Sequence, residues 1–206
     1  MGIVFGHRMR KHLDFDGMEL VPFGTPIPLH SVNPRNMLET SEWNKIRKDC
    51  YQKYDYHCAI CGQNGLEQGY NHPVKAHEKW DYDFDKEVQY FEGVVPLCPI
   101  CHKVIHWEQN RFLYNNGDIT LNEFEKEQDK KHKKLKEVNG NRFGFDPIRL
   151  KNYRWHDGDW VSDFSKLKQL YPFVNMKMYF NTQYNGIFKR EVDSYIYKKG
   201  ELEDLF

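Results

Sequence analysis

Cys58-Ala59-Ile60-Cys61-Gly62 and, after a gap of 36 residues between the inner cysteines, Leu97-Cys98-Pro99-Ile100-Cys101-His102-Lys103-Val104-Ile105-His106 are the segments on which the fold of this chain turns. Two Cys-x-x-Cys pairs supply four thiolates, the number and type of ligand that a tetrahedral zinc ion takes. Two intervening residues let a tight turn aim both sulfurs of a pair at one ion. Gly62 stands where the first turn must leave in a backbone conformation that side chains resist, and Pro99 stiffens the second turn. The spacing predicts structural zinc on Cys58, Cys61, Cys98 and Cys101. The alternative is a set of buried or redox cysteines; a thioredoxin-like motif does not fit two pairs without a strand–helix context. Four sulfur ligands close a zinc site to water, so any reaction must be carried elsewhere.

The fifth cysteine, Cys50, falls on an apolar stripe with Trp43, Ile46 and Tyr54, spaced for one face of a helix over residues 40–54 with Thr40 or Ser41 as N-cap. It is expected in the core rather than as a fifth ligand. An odd cysteine count, two Cys-x-x-Cys pairs and a start lacking a signal-peptide core favour metal binding in a reducing compartment over a disulfide framework. The expected location is the cytoplasm.

Histidines gather around the cysteine pairs. His57 precedes Cys58, His77 follows Cys61 by sixteen residues, and His102 and His106 follow Cys101. His102 and His106 are four apart, which puts them on one face of a helix. His102 reads first as a packing or hydrogen-bonding residue, and His57 as a flank of the first turn.

The order helix, Cys-x-x-Cys-Gly turn, strand bearing His77, then Leu-Cys-x-x-Cys-His-x-x-x-His helix resembles the treble-clef HNH endonuclease family over about residues 40–110. The arm Pro28-Leu29-His30-Ser31-Val32-Asn33-Pro34-Arg35 leading into Trp43 is similar, more weakly, to HNH-like proteins of phages and bacteria. The resemblance implies an α+β fold with a treble-clef ββα module that cuts nucleic acid, DNA first, with one divalent cation, Mg2+ or Mn2+. It places His106 as the final, metal-holding histidine and the first-strand pair on His77 and Glu78. The family has His-His or Asp-His there. Either His77 is the base and its partner is lost, or His77 is a ligand and Glu78 is the base. The family's loop Asn falls on Gly93, which has no side chain to donate a hydrogen bond. That departure leaves a second reading, a non-catalytic zinc module that binds nucleic acid or a protein partner. Asp81, Asp83 and Asp85 offer further oxygen ligands for a hard cation, or simply face solvent.

Charge and composition frame these expectations. The 206 residues carry 30 basic and 30 acidic side chains, which excludes an indiscriminate polycation but not a local basic face. Residues 126–154 hold ten basic and four acidic side chains, and residues 78–92 six acidic and two basic. A basic strip beside an acidic centre suits a phosphate backbone, and Lys130, Lys131, Lys133 and Lys134 are its candidate contacts. Mean hydropathy is −0.84 and aromatics make up 16 % of the chain, so rings must build much of the core. No run of apolar residues is long enough to span a bilayer, and no membrane partner is expected.

The expected organisation is an extended arm over 1–39, the zinc module over 40–117, a basic helix over 118–140 and a mixed α/β region over 141–206. Thr120 and Glu123 have capping-box spacing for the basic helix. In the last region, Tyr153 and Trp155 before Asp157-Gly158 and Trp160 suggest one hairpin. Phe173 to Phe180, Asn185-Gly186 and Ile187 to Val192 suggest another, with a short helix around Phe164 to Leu170 between them.

Overall fold

A computed structural model of the chain describes residues 20, 22, 25–26, 29–83, 85–107, 109–139, 160–176, 180–181, 186–191 and 194–199. The class is α+β. The elements are α1 (Pro34–Met37), α2 (Thr40–Lys53), β1 (Lys75–Asp83), β2 (Val88–Leu97), α3 (Pro99–Ile105), α4 (Gln109–Asn115), α5 (Leu121–Asn139), β3 (Val161–Asp163), α6 (Ser165–Leu170), β4 (Phe180–Asn181), β5 (Gly186–Glu191) and β6 (Ser194–Lys199). Among the described residues six strands form one sheet in the order β1-β2-β3-β6-β5-β4. Among the described residues no helix is long and apolar enough to cross a membrane.

The chain divides into two interleaved units rather than consecutive blocks. One comprises Met1–Gly24, Tyr51–His77 and Val95–Asn152; the other comprises Thr25–Cys50, Glu78–Val94 and Tyr153–Phe206. The stretch 40–117 is therefore shared between both.

In the first unit the cysteines are the core. Cys58, Cys61, Cys98 and Cys101 are buried among Leu20, Leu97, Val104, Ile105 and Trp107, with Leu135 and Val138 of α5 packed against them. Leu20 is the described part of the N-terminal arm that reaches this core, and the Asn139 side chain donates to its carbonyl at 2.8 Å. Helix α5 begins with the expected capping box: Glu123 N–H donates to Thr120 Oγ1 at 3.3 Å, and Thr120 N–H donates to Glu123 Oε2 at 2.8 Å.

In the second unit the core is aromatic. Trp80 meets the edges of Phe91 and Phe164 at 5.4 and 5.5 Å, and Phe91 stacks on Phe164. Burying rings of this size contributes about 1.5–3 kcal/mol each. Trp160 is buried, with Tyr82 against it at 6.3 Å. The short parallel pair β2–β3 is pinned at Gln89↔Ser162, where the buried Gln89 amide donates to the Ser162 hydroxyl at 2.7 Å. Helix α2 buries Trp43, Ile46 and Cys50 on one stripe as its periodicity predicts, and the Cys50 thiol donates to the Val94 carbonyl.

The expected second hairpin is differently built. Residues 174–176 are not strand; β4 is only Phe180–Asn181, and β5 pairs antiparallel with both β4 and an unanticipated β6. The expected first hairpin, with Tyr153, Trp155 and Asp157-Gly158, lies outside the described residues, as do residues 1–19 of the arm.

Candidate metal centres

The first cysteine pair sits on a turn whose geometry follows from its residues. Gly62 N–H donates to the Cys58 carbonyl at 2.9 Å, and Gly62 has φ +70°, the left-handed conformation that glycine adopts at no steric cost. Ala59 N–H donates to the Pro96 carbonyl at 2.8 Å, which ties this turn to the end of β2 just before the second pair. Cys98 then acts as N-cap of α3 with Pro99 at the first helical position, where its missing N–H costs nothing. A further glycine was not singled out in the sequence: a Cβ on Gly65 would stand 2.2 Å from the His72 carbonyl oxygen and 2.7 Å from Pro99 Cδ. Close approach of the intervening loop to the second turn therefore demands glycine there.

These devices bring the four sulfurs within 4.8 Å of one another, all buried. Cys61 Sγ and Cys98 Sγ lie 3.7 Å apart. Metal–sulfur bonds of about 2.3 Å around a tetrahedral ion require sulfur–sulfur edges of about 3.8 Å. The donor set fits a metal ion such as zinc. Among the four coupled thiols, mutual hydrogen bonding pushes Cys58 and Cys101 above the ordinary range and Cys61 below it; Cys98 is pushed below it as well, first by Cys101 and then by Cys58 and Cys61. Its sulfur also accepts from Cys101 N–H at 3.5 Å and from Gln68 Nε2 at 3.3 Å, as a thiolate in a metal site does.

A second donor cluster lies in the same unit. His77 on β1, His102 on α3 and His106 at the C-cap of α3 offer ring nitrogens that all lie within 4.8 Å of one another. His77 meets His102 and His106 at ring-centre distances of 5.5 and 5.1 Å, and the two helix-borne rings are 4.6 Å apart. All three are half-buried, unlike the cysteines. His102, read from sequence as a packing residue, is thus a full member of the cluster. The signal was present in the i, i+4 spacing with His106, but one helical face does not announce which strand residue it meets.

The other anticipated residues are placed apart from this set. Glu78 follows His77 on the strand but is not among the clustered donors; burial raises its carboxyl above the ordinary value, with Arg35 acting in the opposite sense. Asp83 caps the following turn, accepting from the N–H groups of Asp85 and Lys86 and pairing with the Lys86 ammonium at 2.7 Å. His57 turns to the Asp55 carbonyl. Gly93 on β2 has φ +144°, a conformation side chains rarely adopt, so the backbone itself keeps a side chain out of that position.

The basic strip on α5 is narrower than its sequence suggests. Lys133 is exposed, and Lys130 is exposed and paired with Glu127. Lys131 and Lys134, by contrast, are only 1 % and 3 % exposed. Lys131 donates to the Trp107 carbonyl at 3.0 Å and lies over its ring. Lys134 donates to Gln63 Oε1 at 2.7 Å and Glu137 Oε1 at 3.1 Å. The alternation of inward and outward lysines follows the helical period, since i and i+3 share a face.

Compared with protein-family models, with curated proteins and with solved structures, the chain matches none. Fold and site together define an α+β protein whose described residues include a four-cysteine cluster suited to a metal and a three-histidine cluster in the same unit.

Proposed function

We propose that this chain is an HNH-type, metal-dependent endonuclease on a treble-clef scaffold, hydrolysing phosphodiester bonds in DNA, with structural zinc on the four cysteines. The observation that carries this reading is the convergence of His77 from a strand with His102 and His106 from the helix that follows the second cysteine pair. Three protein nitrogens leave coordination positions for solvent and substrate, which separates a catalytic site from a closed one. Neutral imidazole nitrogens are common metal ligands. An all-nitrogen set favours a borderline ion such as Zn2+, Ni2+ or Co2+ over Mg2+ or Mn2+, which ask for oxygen. Such an ion would neutralise charge on the phosphoryl oxygens during hydrolysis. In this reading His77 is a ligand. Glu78, the other first-strand candidate, follows His77 on β1, where successive side chains point to opposite faces, and it is not among the clustered donors. Of the four candidate lysines, Lys130 and Lys133 face outward and are available to phosphate, whereas Lys131 and Lys134 serve the interior.

The second reading, a non-catalytic module that binds nucleic acid or a protein, is favoured by Gly93, whose φ of +144° resists a side chain at the family's Asn position. Supercoiled plasmid incubated with the full chain and a panel of Zn2+, Ni2+, Co2+, Mn2+ and Mg2+ decides between them. Nicking that is lost in both His77→Ala and His106→Ala supports the nuclease. Intact plasmid, and intact single-stranded substrate, with every ion in the wild type refutes it.

A further inference from the structure

Lys134 is a charged group inside the protein, and its surroundings assign it a task. A buried ammonium costs several kcal/mol unless it is paired and hydrogen-bonded. Its formal counter-charge, Glu137, is itself half in solvent at 49 % exposure, which weakens the pair by screening. Its shorter bond is to Gln63 Oε1 at 2.7 Å. That same oxygen accepts from Gln68 Nε2 at 3.0 Å, and Gln68 Nε2 donates in turn to Cys98 Sγ at 3.3 Å. Gln63 is tied to the first cysteine turn as well, its carbonyl accepting from Cys58 N–H at 2.9 Å. An unbroken set of hydrogen bonds thus joins the ammonium to the sulfur cluster. Burial works against the Lys134 charge, but Cys61, Glu137 and Cys101 outweigh it and leave the ammonium more firmly protonated than a lysine in water.

The charge on the metal centre explains why a cation belongs there. Four thiolates around a divalent ion leave two negative charges in a buried place. We infer that Lys134 is the internal counter-cation of the four-cysteine metal centre, acting through Gln63 and Gln68, so that helix α5 locks the metal in place. Charge supplied from α5 makes the thiolates poorer nucleophiles and slows release of the ion. Outer-shell partners of this kind change metal retention by about ten- to a hundred-fold. This role stands on the cysteine cluster alone and does not depend on nuclease activity.

The test loads the full chain with zinc and follows transfer to an excess of a chromophoric chelator. Lys134→Met keeps the unbranched shape of the side chain, one atom shorter, and removes its charge; it is expected to lose zinc about ten-fold faster than wild type. Lys133→Met, which removes the same charge from the exposed side of the same helix, is expected to release zinc at the wild-type rate. Loading with Co2+ adds a signature that a packing defect would not produce: the sulfur-to-cobalt charge-transfer band moves to lower energy in Lys134→Met and stays in place in Lys133→Met. Wild-type release and an unmoved band in a Lys134→Met protein with unchanged far-UV circular dichroism overturn the inference. Should Lys134→Met not fold, Gln68→Leu removes the N–H···S bond and leaves the ammonium. It is expected to speed release in the same direction, and an unchanged rate there overturns the inference equally.

Discussion

The four-cysteine cluster and the three-histidine cluster share one unit and one helix, yet they are built on opposite plans. The cysteines are buried on all sides, surrounded by Leu97, Val104 and Ile105, with both turns fixed by glycine, proline and main-chain bonds. The histidines are half-buried, and α3 ends between two of them. A closed sulfur site holds a fold together, whereas an open nitrogen site leaves positions for something to arrive. Metal at the first should therefore be inseparable from folding of that unit, and metal at the second should be separable from it.

The largest expected effect tests that contrast directly. Cys58→Ser, or removal of metal by a strong chelator, should unfold the first unit, because metal binding to structural four-ligand sites contributes on the order of 10 kcal/mol to folding. Elemental analysis before and after, with far-UV circular dichroism, measures it; a metal-free protein with an unchanged melting profile breaks the comparison. His102→Ala should do the reverse. Its effect on stability is expected within about 1 kcal/mol, as for a partly exposed side chain outside the core. Plasmid nicking should fall about a hundred-fold or more, the equivalent of roughly 2.7 kcal/mol of lost transition-state stabilisation. Metal titration of the zinc-loaded variant should show the second site weakened and the first intact.

How much of this was legible in the sequence follows the same division. The sulfur site was readable because Cys-x-x-Cys is local: each pair fixes its own turn, and Gly62 and Pro99 mark the backbone conformations those turns need. The capping box of α5, the stripe of α2 and the core role of Cys50 are equally local and stand as read. The histidine site depends on which strand residue a helix face meets, a non-local fact, and so His77 and His106 were legible only through a family resemblance while His102 was passed over. Lysines illustrate the limit most clearly. A run of five lysines between 130 and 136 reads as one basic surface, but the helical period turns two of them inward, and only the packing partner determines which. The sheet of the second unit was read least well, because β6 and the short β4 are set by pairing and not by alternation.

A smaller effect probes where α5 supports the open site. Lys131 donates to the carbonyl of Trp107, the residue after His106. Lys131→Met removes this buried charge-assisted hydrogen bond and should cost about 1–3 kcal/mol. Lys133→Met should cost no more than about 0.5 kcal/mol, as measured by urea unfolding of the metal-loaded protein. Because Trp107 adjoins His106, Lys131→Met should also weaken metal at the histidines more than at the cysteines. Equal weakening at both would mean that α5 does not distinguish them.

The smallest effect lies at the far end of α5, where neither cluster is touched. Thr120→Ala removes one half of the capping box and should cost about 1 kcal/mol, with zinc retention and nicking unchanged. The pH dependence carries the sign. Hydrogen bonds from the Thr120 backbone and then its hydroxyl hold the Glu123 carboxyl below its ordinary value of 4.5. A carboxylate with a depressed pKa in the folded state contributes stability that is present above the unfolded value and is lost as pH falls through the folded one. Wild type should therefore fray at the start of α5 as the solution is acidified below pH 4.5, and Glu123→Gln should show a flatter profile over the same range, followed by amide hydrogen exchange at residues 121–124. Parallel profiles would show that the cap contributes through geometry alone, and a change in metal retention would show that the two ends of α5 are mechanically linked, against the separation of the two sites from which this prediction starts.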